Sequence, residues 1–128
     1  MSTRRPTASG HFASADGTQL YYEDDLIEGA KAALLIVHGF GDHCGRYGDL
    51  AARMNGRGYS TLRFDYRGHG RADGRRGHIF RFEDYLNDLA AFRARANEIL
   101  PADTPRFLLA HSNGGLIATH GVAADPSG

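Results

Sequence analysis

The sequence predicts an α/β fold in which an antiparallel hairpin leads into parallel strands with helices on their faces. Three observations predict it. Short runs of continuously apolar residues suit strands covered on both faces. Segments with apolar residues at helical spacing alternate with those runs. Glycine-rich stretches mark the junctions.

Met1 to Gly10 is polar, contains Pro6 and reads as a flexible tail, which leaves residues 11–128 as one domain. His11 to Ala15 and Gln19 to Asp25 flank Asp16-Gly17, a strong hairpin turn signal. Ala32 to Val37 is a continuously apolar strand. Tyr47, Leu50, Ala51 and Met54 recur at helical spacing, and Gly56 and Gly58 end that helix. Tyr59 to Phe64 forms the next strand, and a glycine-rich loop runs from Arg67 to Gly77. The longest helix begins near Phe82 and buries Phe82, Tyr85, Leu86, Leu89, Phe92, Ala96 and Ile99 along one face. Glu83, Asp84 and Asp88 lie early in it and Arg93 and Arg95 late, matching the helix dipole, and Pro101 closes it. Arg106 to His111 is another buried strand, and Gly114 to Ala123 a helix that Asp125-Pro126 stops. No internal repeat and no second domain are visible.

Composition narrows the function classes. With 128 residues and 41% hydrophobic content, the chain can bury a core. Lys+Arg and Asp+Glu are both 15, so no basic footprint for nucleic acid exists. Ala32 to Val37, the longest apolar stretch, is far too short to span a membrane. Arg4-Arg5 is followed by polar residues, which supports neither a secretory nor a twin-arginine signal. The single cysteine, Cys44, allows no internal disulfide, and the expected location is cytoplasmic. Seven histidines are scattered without an H-E-x-x-H pair, so neither metal nor cofactor is expected.

Ser112 is the first residue to carry chemistry. The strand Phe107-Leu108-Leu109-Ala110 leads through His111 into Ser112-Asn113-Gly114-Gly115 and a helix. Small neighbours around a serine at a strand-to-helix turn push the hydroxyl out of the sheet, where it can attack an acyl carbon. The pattern is G-x-S-x-G with Ala110 in place of the first glycine and Gly114 as the last. A plain Ser-Asn-Gly-Gly turn is the simpler alternative.

Two loops support the acyl-transfer reading. His38-Gly39-Phe40-Gly41-Asp42-His43 follows the Ala32–Val37 strand, where a backbone N–H can face a developing oxyanion. The donors assigned are the amides of Phe40 and Asn113. A simple connecting loop is the alternative, and a phosphate-binding loop is disfavoured because neither nucleotide-binding glycine pattern is present. Asp65-Tyr66-Arg67-Gly68-His69-Gly70 follows the next strand. Its expected role is structural, with Asp65, Arg67 and His69 hydrogen-bonding to the oxyanion loop. Cys44 reads as an ordinary loop residue rather than a thiol nucleophile beside His43.

Together, His38 to Tyr47, Asp65 to His78 and Ala110 to Gly115 resemble the monoacylglycerol lipase and lysophospholipase branch of the α/β-hydrolases, over residues from about His11 to Ala123. The resemblance implies Ser112 as nucleophile and Phe40 and Asn113 as oxyanion donors; the loops around them supply His38, Gly39, Gly41, Asp65, Arg67, His69 and Gly114 as the expected supporting residues. It implies hydrolysis of carboxylic esters, with monoacylglycerols or lysophospholipids as substrates. The departures are Ala110 for glycine, Asn113 where methionine is common, and Ala72 where serine is common. An aspartate nucleophile, as in epoxide and haloalkane hydrolysis, is not what stands at position 112. Peptidase and acyltransferase chemistry are neighbouring possibilities on this fold.

The resemblance also implies a triad acid and histidine downstream of the serine. Beyond Ser112 the sequence offers only Asp125 and His120. His120 lies about 12 Å along the same helix and does not reach the hydroxyl. The sequence therefore reads as the N-terminal half of a hydrolase domain, inactive alone. The strand Arg106–His111 should present an open edge, so the chain alone is expected to be poorly soluble. The competing reading is a non-catalytic truncated product or binding half-domain. Acyl-chain length, head group, lid and oligomeric state are not legible.

Overall fold

The computed structural model describes residues 7–79 and 81–126. Its strands are β1 (Ala8–Ala13), β2 (Gln19–Asp25), β3 (Ala32–Val37), β4 (Tyr59–Asp65) and β5 (Arg106–Ala110). Its helices are α1 (Gly48–Gly56), preceded by a short 3-10 turn at Cys44–Tyr47, α2 (Phe82–Ile99) and α3 (Asn113–Ala124). The strands form one sheet in the order β1-β2-β4-β3-β5. β3 runs parallel to β4 and β5, while β2 is antiparallel to both β1 and β4. The antiparallel hairpin followed by parallel strands matches the expected architecture.

Local chemistry explains the elements. At the hairpin turn the Thr18 amide donates to Asp16 Oδ1 at 3.0 Å, and Gly17 holds a φ of 86°. β3 is apolar throughout because both faces are covered, and Ile36 and Val37 are almost completely buried. Strand alternation puts Leu35, Val37, Leu62 and Phe64 on the face covered by α2 and α3. There Phe64 stacks on Phe92 with ring centroids 4.2 Å apart. The opposite face carries Arg63, whose guanidinium reaches Asp25 and Glu23 on β2 and the Cys44 carbonyl before α1. A buried charge is tolerated there because it is paired and hydrogen-bonded.

Three expectations need correction. β1 begins at Ala8 rather than His11, so Ala8, Ser9 and Gly10 pair with Asp24, Glu23 and Tyr22 instead of lying in a tail. The expected tail at Met1 to Pro6 lies outside the described residues. The buried face of α2 ends at Ala96: Ile99 is exposed, and Leu100, in extended backbone just after the helix, fills the core instead. Arg67 does not make the expected hydrogen bond to the His38–His43 loop. Its guanidinium clasps Asp88 of α2 through Nε and Nη2 and reaches Asp16 in the hairpin turn. A guanidinium fork takes two carboxylates in this way, tying hairpin, β4 and α2 together.

Candidate active site

Sheet topology sets the site. β3 and β5 are adjacent and parallel, with Val37 level with Ala110, and the His111 amide donates to the Val37 carbonyl at 3.1 Å. The segments leaving these two strands therefore emerge side by side at the carboxyl end of the sheet, where open α/β sheets hold their ligand sites. One is the loop His38–His43, and the other is the turn at Ser112.

Ser112 has φ 55° and ψ −120°, and among the described residues it is the only non-glycine with positive φ. Such a backbone costs about 1–3 kcal/mol and persists only where its surroundings impose it. Two constraints do so here. Upstream, the ladder to β3 holds β5 in place. Downstream, the Gly114 amide donates to the His111 carbonyl at 2.9 Å and the Leu116 amide to the Ser112 carbonyl at 3.2 Å, which winds α3 directly from the turn.

Glycines allow the two loops to meet. A Cβ added to Gly39 would lie 3.3 Å from the Ser112 Cβ, so the His38–Phe40 backbone runs past the serine at van der Waals distance. Gly114 sits under the end of β3 and has no room for a side chain. The amide of Asn113, the first residue of α3, belongs to the helix N-terminus, whose N–H groups have no intrahelical acceptor. The amide of Phe40 follows Gly39 in the loop beside the serine. Phe40 itself is 61% exposed, and its ring stands edge-on to His69 with centroids 5.4 Å apart.

The expected supporting residues divide. Asp65 bridges two segments: Oδ1 accepts the Cys44 amide at 2.6 Å and Oδ2 the Arg71 amide at 3.0 Å. His38 is buried, and its Nδ1 donates to the Gly39 carbonyl at 2.7 Å, which fixes the tautomer. Burial lowers its pKa to about 4, so the ring is neutral near pH 7 with Nε2 bare, 3.6 Å from Asp65. His69 supports Phe40 by packing, and its Nδ1 bonds Arg67 O within its own loop at 3.0 Å. Burial lowers the His69 pKa as well. Gly41, with φ 76°, turns the loop, and the Asp42 amide closes that turn onto the Gly39 carbonyl at 3.1 Å. Cys44 is buried and its thiol is pushed up by burial, so it carries no thiolate chemistry.

Sequence reasoning missed Tyr66. Its buried hydroxyl donates to the His38 carbonyl at 3.1 Å, and its ring stacks on the His38 imidazole at 4.2 Å. An aromatic immediately after a buried strand was the only available signal. The downstream histidine also finds other work, since the His120 ring packs edge-on against Phe82 at 5.4 Å.

A protein-family profile described as serine aminopeptidase, S33, matches residues 28–128. The chain belongs to this α/β-hydrolase family. Monoglyceride lipase of Mus musculus is 35% identical over 118 residues, covering 91% of this chain and 39% of that protein. Lysophospholipase L2 of Escherichia coli is 42% identical over 80 residues, covering 58% of this chain and 23% of that protein. Among solved structures, Est1E of Butyrivibrio proteoclasticus bound to ferulic acid superposes with a TM-score of 0.76 at 25% identity, covering 91% of this chain and 48% of that one. This S33-family chain thus spans less than half the length of the relatives it matches. Among the described residues no helix is long and apolar enough to cross a membrane.

Proposed function

We propose that this chain supplies the nucleophile and oxyanion hole of a serine hydrolase that cleaves carboxylic esters of the monoacylglycerol or lysophospholipid type. The observation that carries the reading is the backbone of Ser112: a serine at positive φ, at a strand end, beside the Gly39–Phe40 peptide. The names of the mouse and bacterial relatives support the substrate class. The buried single cysteine suits a reducing compartment, and the reading includes cytoplasmic residence.

In the proposed mechanism Ser112 Oγ attacks the ester carbonyl carbon while a histidine takes its proton. The carbonyl oxygen becomes an oxyanion facing the amides of Phe40 and Asn113. Collapse expels the alcohol, which takes the proton from the imidazolium and leaves an acyl group on Ser112. Water, deprotonated by the same histidine, releases the acid. By the resemblance the histidine and its carboxylate follow the serine in chain order, and neither role is given to a residue of this sequence. His38 and His69 are committed to carbonyls of their own loops, and His120 to Phe82. Those commitments also favour the second reading, a non-catalytic half-domain.

A fluorophosphonate probe tests the proposal, applied to the natural protein that carries this sequence, alongside hydrolysis of a monoacylglycerol and a lysophospholipid. Labelling and turnover that disappear in Ser112→Ala support the reading. A folded protein that neither labels nor turns over would leave the half-domain.

A further inference from the structure

The nucleophile turn and the oxyanion loop are joined by a short chain of polar groups. Asn113 Nδ2 lies 3.4 Å from the Tyr66 hydroxyl, and that hydroxyl lies 3.1 Å from the His38 carbonyl oxygen. The direction of the chain follows from donor counting. A carbonyl only accepts, so the single Tyr66 proton goes to His38, and the phenolic oxygen accepts from the Asn113 amide. Tyr66 is fully buried between the His38 ring, on which it stacks, and Tyr85, which meets it edge-on at 4.9 Å. Its hydroxyl is therefore a fixed post rather than a free rotor.

Both ends of this chain sit next to the assigned oxyanion donors. Asn113 is the residue whose backbone N–H is one donor. The His38 carbonyl belongs to the peptide immediately before the one that carries the Phe40 N–H, the other donor. With Gly114 wedged beneath it, that carbonyl is held from two sides. The two donors lie on separate segments, the loop after β3 and the first turn of α3.

We propose that Asn113 and Tyr66 are positioning residues that lock the two oxyanion donors into one geometry through the relay Asn113 N–H to Tyr66 O–H to the His38 carbonyl. The inference rests on the serine-hydrolase reading above. Methionine, which the resemblance gives as common at position 113, has no side-chain N–H and cannot make the first link. In this chain asparagine therefore has a role beyond making the floor beside the serine more polar.

The test is a double-mutant cycle with Asn113→Met and Tyr66→Phe in the natural protein that carries this sequence. It reads kcat, KM and the inhibition constant of a trifluoromethyl ketone, which forms a tetrahedral oxyanion on the serine. Each single variant is expected to lower kcat by about tenfold with KM nearly unchanged, and to weaken the ketone by the same factor. The double variant is expected to be no worse than the worse single, because both break one relay. Fully additive effects, or losses in KM with ketone affinity intact, would overturn the proposal and make Asn113 a direct substrate contact. If Tyr66→Phe fails to fold, Asn113→Met at its half-buried site still decides, through the match between kcat and ketone affinity. A parent protein without Ser112-dependent turnover would instead sink the hydrolase reading, and the relay's catalytic role with it.

Discussion

A Cβ on Gly114 would stand 2.3 Å from the carbonyl oxygen of His38. No side chain can yield to relieve that clash, because the obstacle is the backbone at the end of β3. Gly114→Ala should push α3 and the serine turn away from the His38–His43 loop, at a cost of about 3 kcal/mol. Gly115, its neighbour in the first turn of α3, faces open space. Gly115→Ala should therefore stabilise by up to about 1 kcal/mol through helix propensity alone. Urea denaturation of the two variants checks the contrast, and equal effects would contradict the close approach.

The strain at Ser112 separates stability from chemistry. At φ 55° a glycine is far less strained than any other residue. Ser112→Gly should raise stability by about 1 kcal/mol while abolishing probe labelling. Ser112→Ala should abolish labelling without that gain, since alanine keeps the Cβ. A thermal melt of both variants distinguishes them.

His38 sets an acid limit. Its folded-state pKa is lowered to about 4 by burial, against 6.5 for a free imidazole. Between those values the unfolded chain binds a proton that the folded chain refuses. The neutral ring's contribution to stability is present above about pH 6.5 and is lost as pH falls toward 4, reaching on the order of 3 kcal/mol. His38→Asn should flatten this part of the stability-against-pH curve. An unchanged slope would show that His38 is not the titrating group.

The open side of the sheet predicts association. β5 pairs with β3, and its other edge is unpaired among the described residues. Phe107 is 58% exposed and Leu109 42% exposed on the same strand face. An apolar strand with free N–H and C=O groups is a template for further pairing. The 128-residue chain alone should self-associate, and Phe107→Lys with Leu109→Lys should suppress it, as read by light scattering. A compact monomer with a cooperative melt before any substitution would contradict this.

Local patterns were legible in the sequence, and long-range partnerships were not. The apolar run Ala32–Val37 and the small residues around Ser112 each specify their own geometry within a few residues. Ala8 to Gly10 carry no strand signal of their own and become a strand only because Tyr22 to Asp24 lie beside them. Arg67 was misassigned because its acids lie 21 and 51 residues away in sequence, a choice no local pattern records. Tyr66 was given no role for the same reason: the carbonyl its hydroxyl reaches is 28 residues upstream. Leu100 fills the core in place of Ile99 because its backbone turns extended just past the end of α2, a change of direction that helical spacing does not record.

The level pairing of Val37 with Ala110 makes the site a two-position device. Strand ladders do not slide continuously. They shift by whole residues, about 3.3 Å at a time, and each single step turns side chains to the opposite face. Were β5 to zip onto β3 one notch out, the serine would arrive a full residue early or late and on the wrong side of the sheet. The meeting of Ser112 with the Gly39–Phe40 peptide thus depends on a counting event during folding, and a miscounted strand loses that meeting together with the packing of Leu108 and Ala110 on the core.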